Sequence, residues 1–354
     1  MSAHQGPNHK TALVTGSAGF IGYHVSRALL QAGYSVVGFD ALTDYYDVQL
    51  KQRRHQRLLQ NQNFRAVEER LESPGVLRDL VAETRPDVVI HLAAQAGVRY
   101  SIDEPRSYVD SNLVGTFELI EAARACPPKH LMLASTSSVY GANTQMPYAE
   151  HHKADLQMSF YAATKKATES MTHSYAHLFG IPTTMFRFFT VYGPWGRPDM
   201  AAFKFTRAIL NGEPIDVYNH GEMSRDFTYI DDLAAAIAAL ADAVPTPPLE
   251  SDTEGESENG VEDRDALGLS PVAPWRVVNI GNSQPVQLSA FIEAIEKAIG
   301  RRAERNHLPM QPGDVPATWA DTNLLSRLIE VTPSTSVEVG VQRFVDWYRS
   351  YYNA

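Results

Sequence analysis

Residues 11–22 read Thr11-Ala12-Leu13-Val14-Thr15-Gly16-Ser17-Ala18-Gly19-Phe20-Ile21-Gly22, a β-rich run, three glycines at three-residue spacing, and the start of an apolar-periodic stretch. A strand that turns so tightly into a helix limits the chain to folds with a helix packed directly on a sheet. Gly16 permits the tight turn, Gly19 lets backbone approach a pyrophosphate, and Gly22 lets the helix pack closely on the sheet. Amides at the helix start, aided by the helix dipole, then hold phosphates. The second strand-like run ends at Asp40, about the ~20-residue distance expected of an acid that binds the adenosine ribose. A carboxylate there bonds both ribose hydroxyls and repels a 2′-phosphate, which favours NAD over NADP.

The alternation continues. Strand-like runs at Thr11–Thr15, Ser35–Phe39, Phe64–Val67, Asp87–His91, His130–Ser135 and Pro182–Phe188 alternate with helix-like stretches at Ile21–Ala32, Asp47–Gln60, Gly75–Thr84, Tyr108–Ala125 and Tyr161–Phe179. Gly33 and Gly180 fall at helix C-caps, and Pro182 blocks continuation of the helix before it. The pattern predicts an α/β fold with a doubly wound parallel sheet of Rossmann type, accompanied by a smaller α/β substrate-binding lobe. The expected division is 1–190 for the dinucleotide domain, with returns near 228–243 and 276–281, and 191–354 for the second lobe. Pro245–Pro274 is rich in Pro, Gly, Ser, Asp and Glu, and cannot bury enough apolar surface to offset its ordering entropy. A mobile acidic loop is expected over 245–274.

That loop supplies much of the net charge of -10, which argues against a nucleic-acid surface. Cys126 is the only cysteine, so no intrachain disulfide forms, in keeping with a reducing compartment. Met1 to Lys10 lacks an apolar h-region, and no apolar run approaches the ~20 residues of a membrane span. A soluble, cytoplasmic protein without a membrane partner is expected. No metal is assigned.

Tyr161-Ala162-Ala163-Thr164-Lys165 opens a helix, so both side chains lie on one face at i, i+4. A tyrosine of ordinary pKa is a poor base near neutrality, and a nearby ammonium with the positive nicotinamide of NAD⁺ is expected to stabilise its phenolate. Lys165 can also hydrogen-bond the nicotinamide ribose. Ala134-Ser135-Thr136-Ser137-Ser138-Val139-Tyr140-Gly141 follows the fifth strand, at the carboxyl edge where open α/β sheets place their ligands. A hydroxyl there reaches the reacting oxygen beside Tyr161.

With its G-x-x-G-x-x-G spacing and His91-Leu92-Ala93-Ala94, the chain resembles the extended short-chain dehydrogenase/reductase family. Within that family it is most similar to UDP-glucuronate 4-epimerases. The similar stretches are Ala93–Arg99, Arg187–Pro194, Gly196–Met200, Ser224–Thr228 and Gln311–Val315. The resemblance implies NAD as cofactor, lined by Gly16, Gly19, Phe20, Ile21, Gly22, Asp40, Ala93 and Lys165. It makes Thr136, Tyr161 and Lys165 the catalytic residues. Arg225 would meet the diphosphate of a UDP-hexuronic acid or else pair with Asp226, Asp314 would meet the UDP ribose, and Arg197 is a further UDP candidate. Arg99, Ser137, Ser138 and Thr190 would line the sugar pocket and hold the carboxylate. The family usually carries an Asp after the third strand to touch adenine, whereas this chain has Glu69-Arg70-Leu71.

The implied reaction interconverts UDP-glucuronate and UDP-galacturonate through a transient 4-keto sugar. UDP-glucuronate decarboxylase and UDP-glucose/galactose 4-epimerase are the rival readings, although relatives of the latter type usually have Asn at Thr190. A 4,6-dehydratase usually has Asp-Glu where Ser137-Ser138 stand, and a non-catalytic NAD(H)-binding regulator fits Thr136, Tyr161 and Lys165 least. The resemblance further implies a homodimer through a four-helix bundle of Tyr108–Ala125 and Tyr161–Phe179.

Overall fold

A computed structural model describes residues 10–248, 264–311 and 313–354. Seven strands, β1 (Thr11–Thr15), β2 (Ser35–Asp40), β3 (Phe64–Glu68), β4 (Val88–His91), β5 (His130–Thr136), β6 (Thr183–Phe188) and β10 (Trp275–Ile280), form one sheet in the order β10-β6-β5-β4-β1-β2-β3. Every pairing in it is parallel. β4 and β5 are buried throughout, as strands covered on both faces must be. Alternate residues divide between two cores. Val14, Ile90, Met132 and Phe186 pack with one set of helices, while Leu13, Val89, Leu131 and Met185 face the other.

Helices α1 (Phe20–Gln31), α2 (Val48–Leu58), α3 (Val76–Thr84), α4 (Tyr100–Asp103), α5 (Pro105–Tyr108), α6 (Gly115–Ala125) and α7 (Phe160–Phe179) connect the first six strands. A continuous helix from Tyr108 to Ala125 is expected from the sequence, but a π-helical turn, Val109–Val114, interrupts it. The cause is a buried amide. Asn112 bonds both backbone groups of Gln95 and the Thr164 hydroxyl, and a wider turn accommodates that inward side chain.

Past Phe189 the chain builds the smaller lobe. β7 (Thr190–Tyr192), β9 (Ser224–Tyr229) and β11 (Pro285–Gln287) form a three-stranded sheet in the order β11-β9-β7, and β8 (Ile215–Tyr218) pairs with β12 (Arg305–Leu308). α8 (Ala201–Asn211) belongs to this lobe, whereas α9 (Ile230–Leu240) lies against α1.

Residues 249–263 of the acidic segment lie outside those described. The sequence expectation carries the mobile loop on to Pro274, yet Leu269, Ser270 and Ala273 are buried. The buried Arg264 donates to the carbonyls of Pro247 (3.0 Å) and Ser270 (2.6 Å), fastening the two described ends together.

A buried ion pair braces the sheet against α7. Arg187 of β6 meets both carboxylate oxygens of Glu169, at 3.0 and 2.9 Å, and Ser135 of β5 donates to the same carboxylate at 2.6 Å. Both charged side chains are at most 3% exposed. Burial alone would raise the Glu169 carboxyl, but Arg187, Lys166 and Ser135 outweigh it and hold it below the ordinary value. Removing one partner strands the other charge. Glu169→Ala should therefore lower the unfolding free energy by about 3–5 kcal/mol; denaturant unfolding with a loss near zero would exclude this role.

Candidate active site

Six strands of the parallel sheet, β1 to β6, end at one cleft of about 1010 Å³. β1 delivers Gly16, whose φ of +73° suits glycine. A Cβ on Gly16 would lie 2.7 Å from the backbone nitrogen of Ala93, and one on Gly19 would lie 2.9 Å from the Gly16 carbonyl oxygen. A Cβ on Gly22 would overlap that same carbonyl. Gly16 thus lets the turn pass close to the loop after β4, while Gly19 and Gly22 let the chain pack on the Gly16 carbonyl, so Gly22 brings α1 against the turn more than against the sheet.

α1 starts with no side-chain cap and no acidic residue in its first turn. Its leading amides and the positive end of its dipole remain available to an anion, and Gly19, Phe20, Ile21 and Gly22 line the cleft. Asp40, at the end of β2, accepts from the amides of Ala18 (2.9 Å) and Leu42 (2.8 Å). A carboxylate so oriented keeps acceptor sites for a pair of ribose hydroxyls. The turn, the uncapped helix and this acid fit a nicotinamide dinucleotide.

β5 ends at Thr136. Its hydroxyl accepts from the Ser138 amide (3.2 Å) and donates to the Ser138 hydroxyl (3.2 Å), capping the short 3₁₀ turn Ser137–Tyr140. α7 begins just outside this edge. The Ser159 hydroxyl caps it by accepting from the Ala162 amide (3.1 Å), which sets Tyr161 and Lys165 along the cleft wall. The Lys165 ammonium donates to the Ala134 carbonyl (2.9 Å), and burial pulls its pKa down to about 8.

The electrostatics of Tyr161 differ from the sequence expectation. Burial raises its pKa, while a hydrogen bond with Thr136 and the charge of Arg197 act in the opposite sense. In the protein alone, then, the phenol is not acidified. Desolvation, which a motif does not reveal, outweighs the nearby positive charge.

The opposite wall comes from the smaller lobe. Thr190 opens β7 directly after β6, in register with Phe227 of β9. Arg225, two residues before Phe227, donates to the carbonyls of Ser224 (2.9 Å), Val315 (2.7 Å) and Pro316 (3.2 Å). It does not pair with Asp226, whose buried carboxylate instead accepts from the amides of Asn282, Ser283 and Ala320. Arg99 reaches across the mouth to Asp314 at 3.3 Å. Arg197 holds Asp199 through two bonds, of 3.0 and 2.6 Å. Each candidate site residue read from the sequence lines this one cleft. Arg70, in the Glu69-Arg70-Leu71 stretch where an adenine-touching Asp is usual, also lines it, paired with Glu72 at 2.6 Å.

Sequence reasoning missed other lining residues. Lys51, only 6% exposed, donates to the carbonyl (2.5 Å) and hydroxyl (3.0 Å) of Thr43. Tyr45, Tyr148, Asp199 and Tyr218 stand beside the candidates. Lys51 lies in the stretch KQRRHQR, which reads as a solvated helix face, and no motif marks the tyrosines.

The chain matches the model of the NAD dependent epimerase/dehydratase family over residues 12–248. It is 57% identical over 341 residues to a probable UDP-glucuronate 4-epimerase of Rhizobium meliloti (strain 1021), covering 96% of this chain and 97% of that one. To UDP-glucuronate 4-epimerase 4 of Arabidopsis thaliana it is 43% identical, over 98% of this chain and 77% of that one. It also resembles the crystal structure of UDP-glucuronic acid 4-epimerase from Bacillus cereus in complex with UDP-glucuronic acid and NAD. The TM-score there is 0.81 at 32% identity, covering 97% of this chain and all of that one. By sequence and by fold, the chain belongs to the NAD dependent epimerase/dehydratase family.

Proposed function

We propose that the protein is a cytoplasmic UDP-glucuronate 4-epimerase, interconverting UDP-glucuronate and UDP-galacturonate with NAD as a bound cofactor. One observation carries the reading. Thr136, Tyr161 and Lys165 share a cleft with the glycine turn and Asp40 on one side and with Thr190, Arg225 and Asp314 on the other. The sugar named for the Rhizobium, Arabidopsis and Bacillus relatives supports the choice of substrate.

Bound NAD⁺ supplies the acceptor for a hydride from carbon 4 of the sugar and the source from which it returns. The residues of this chain manage the proton and the geometry. Tyr161, as phenolate, takes the proton of the carbon-4 hydroxyl and later gives it back. Thr136 steadies the reacting oxygen and stabilises the phenolate. Lys165, fixed on the Ala134 carbonyl, keeps an ammonium beside the nicotinamide ribose. Arg225 and Asp314 anchor UDP while the 4-keto sugar presents its other face, so return of the hydride inverts carbon 4.

A 4-keto hexuronate is a β-keto acid and loses CO₂ when the breaking bond aligns with the carbonyl π system. Ser137, Ser138 and Thr190, with Arg99 at the mouth, are assigned to hold the carboxylate out of that alignment. The helices α6 and α7 expose Phe117, Leu178 and Phe179, which supports a homodimer through these helices. Light scattering should give twice the chain mass, and a monomeric mass would refute the dimer.

Incubating the protein with UDP-glucuronate alone should yield UDP-galacturonate by NMR, with no pentose. Tyr161→Phe should slow turnover by roughly 10²–10⁴-fold, and undiminished turnover would remove Tyr161 from the mechanism. Thr190→Val should weaken uronate affinity and raise the UDP-pentose share; if both stay unchanged, its assignment to the carboxylate fails. The raised pKa of Tyr161 means that kcat should climb with pH above neutrality. Thr136→Val removes a bond that lowers that pKa, so the climbing limb should move to higher pH. A pH–rate profile with an unmoved limb would exclude the Thr136–Tyr161 coupling.

A further inference from the structure

Arg54 is 0% exposed although it sits in a charge-rich helix, and it does not line the cleft. Its guanidinium bonds three separate segments. One terminal nitrogen, Nη1, donates to the Ala18 carbonyl (2.9 Å) and to the Tyr46 hydroxyl (2.7 Å). The other, Nη2, donates to the Trp195 carbonyl (2.5 Å) and to the Gly196 carbonyl (3.3 Å). Nε is buried with no partner among the described residues, so the whole hold runs through the two terminal nitrogens.

Each segment borders the cleft, whose lining includes Gly16 and Gly19 of the turn, Tyr46 itself and Arg197. Ala18 lies in the glycine turn and is gripped from both sides, its amide by Asp40 and its carbonyl by Arg54. Tyr46 belongs to the loop that follows Asp40 and lines the cleft. Trp195 adopts a left-handed backbone, φ +64°, which a bulky residue rarely takes, and two residues on stands Arg197. A planar fork that spans carbonyls on both lobes is a geometry that lysine cannot reproduce.

We propose that Arg54 is a positioning residue that ties the dinucleotide turn, the loop after β2 and the Trp195–Arg197 segment into one wall, thereby keeping NAD bound through both hydride transfers. The inference rests on the epimerase reading above. Loss of the dinucleotide half-way would strand an oxidised sugar, so an epimerase depends on slow cofactor release in a way that a simple dehydrogenase does not.

The test compares wild type, Arg54→Met, Arg54→Lys and Tyr46→Phe as purified full-length proteins. NAD retained per chain after gel filtration and its release rate into a charcoal trap are measured beside melting temperature and turnover of UDP-glucuronate. Arg54→Met and Arg54→Lys should both release NAD roughly 10- to 100-fold faster, the effect expected for losing hydrogen bonds to a charged group. Excess NAD should restore their turnover. A wild-type release rate, or turnover that stays low at saturating NAD, overturns the proposal. Should the Arg54 variants fail to fold, Tyr46→Phe decides: faster release supports the tie, and release at the wild-type rate overturns it. A wild-type protein that neither carries nor takes up NAD overturns the epimerase reading and this inference together. Wild type holding NAD while Arg54→Met holds it equally tightly overturns this inference alone.

Discussion

The carbonyl oxygen of Gly16 sets how closely the first helix approaches the edge of the sheet. Gly19 and Gly22 both crowd it, and a methyl group on Gly22 would overlap it. This contact brings the uncapped start of α1 beside the strand ends, where its amides and dipole can act on an anion. Asp40 grips the same turn through the Ala18 amide. The dinucleotide wall is therefore a backbone construction, in which side chains contribute chiefly by being absent.

The reacting wall is held differently. Thr136 and Tyr161 come from β5 and α7, and the buried Glu169–Arg187 pair joins those elements to β6. Such a pair adds little stability over apolar packing but penalises any shift that parts it. Lys165 is fixed one turn of α7 beyond Tyr161, on a carbonyl of the strand that ends in Thr136. The register between hydroxyl, phenol and ammonium thus depends on buried polar contacts, while burial itself opposes ionisation of both Tyr161 and Lys165.

Much of the fold was legible because its signals are local. The β-branched runs, the glycine turn and the spacing of Tyr161 and Lys165 each act within a few residues, and the central strands stand where those runs lie. What stayed hidden depends on distant partners. The π turn at Val109–Val114 exists because Asn112 finds Gln95 and Thr164. In α2 the buried face comprises Leu50, Lys51, Arg54, His55 and Leu58. Three of those five are polar, so a reading that equates charge with solvent turns the helix the wrong way round. Likewise the pairing of Arg99 with Asp314 joins residues far apart in sequence.

The position of β10 bears on how the chain is made. This strand completes the main sheet beside β6, yet it follows the smaller lobe's first strands and the acidic segment in sequence. During synthesis β6, buried along its whole length in the finished protein, remains an open sheet edge until residues 275–280 leave the ribosome. Open edges of that kind recruit other chains. A nascent or truncated polypeptide ending before Trp275 accordingly carries its greatest aggregation hazard on the strand that, once covered, supports the reactive edge.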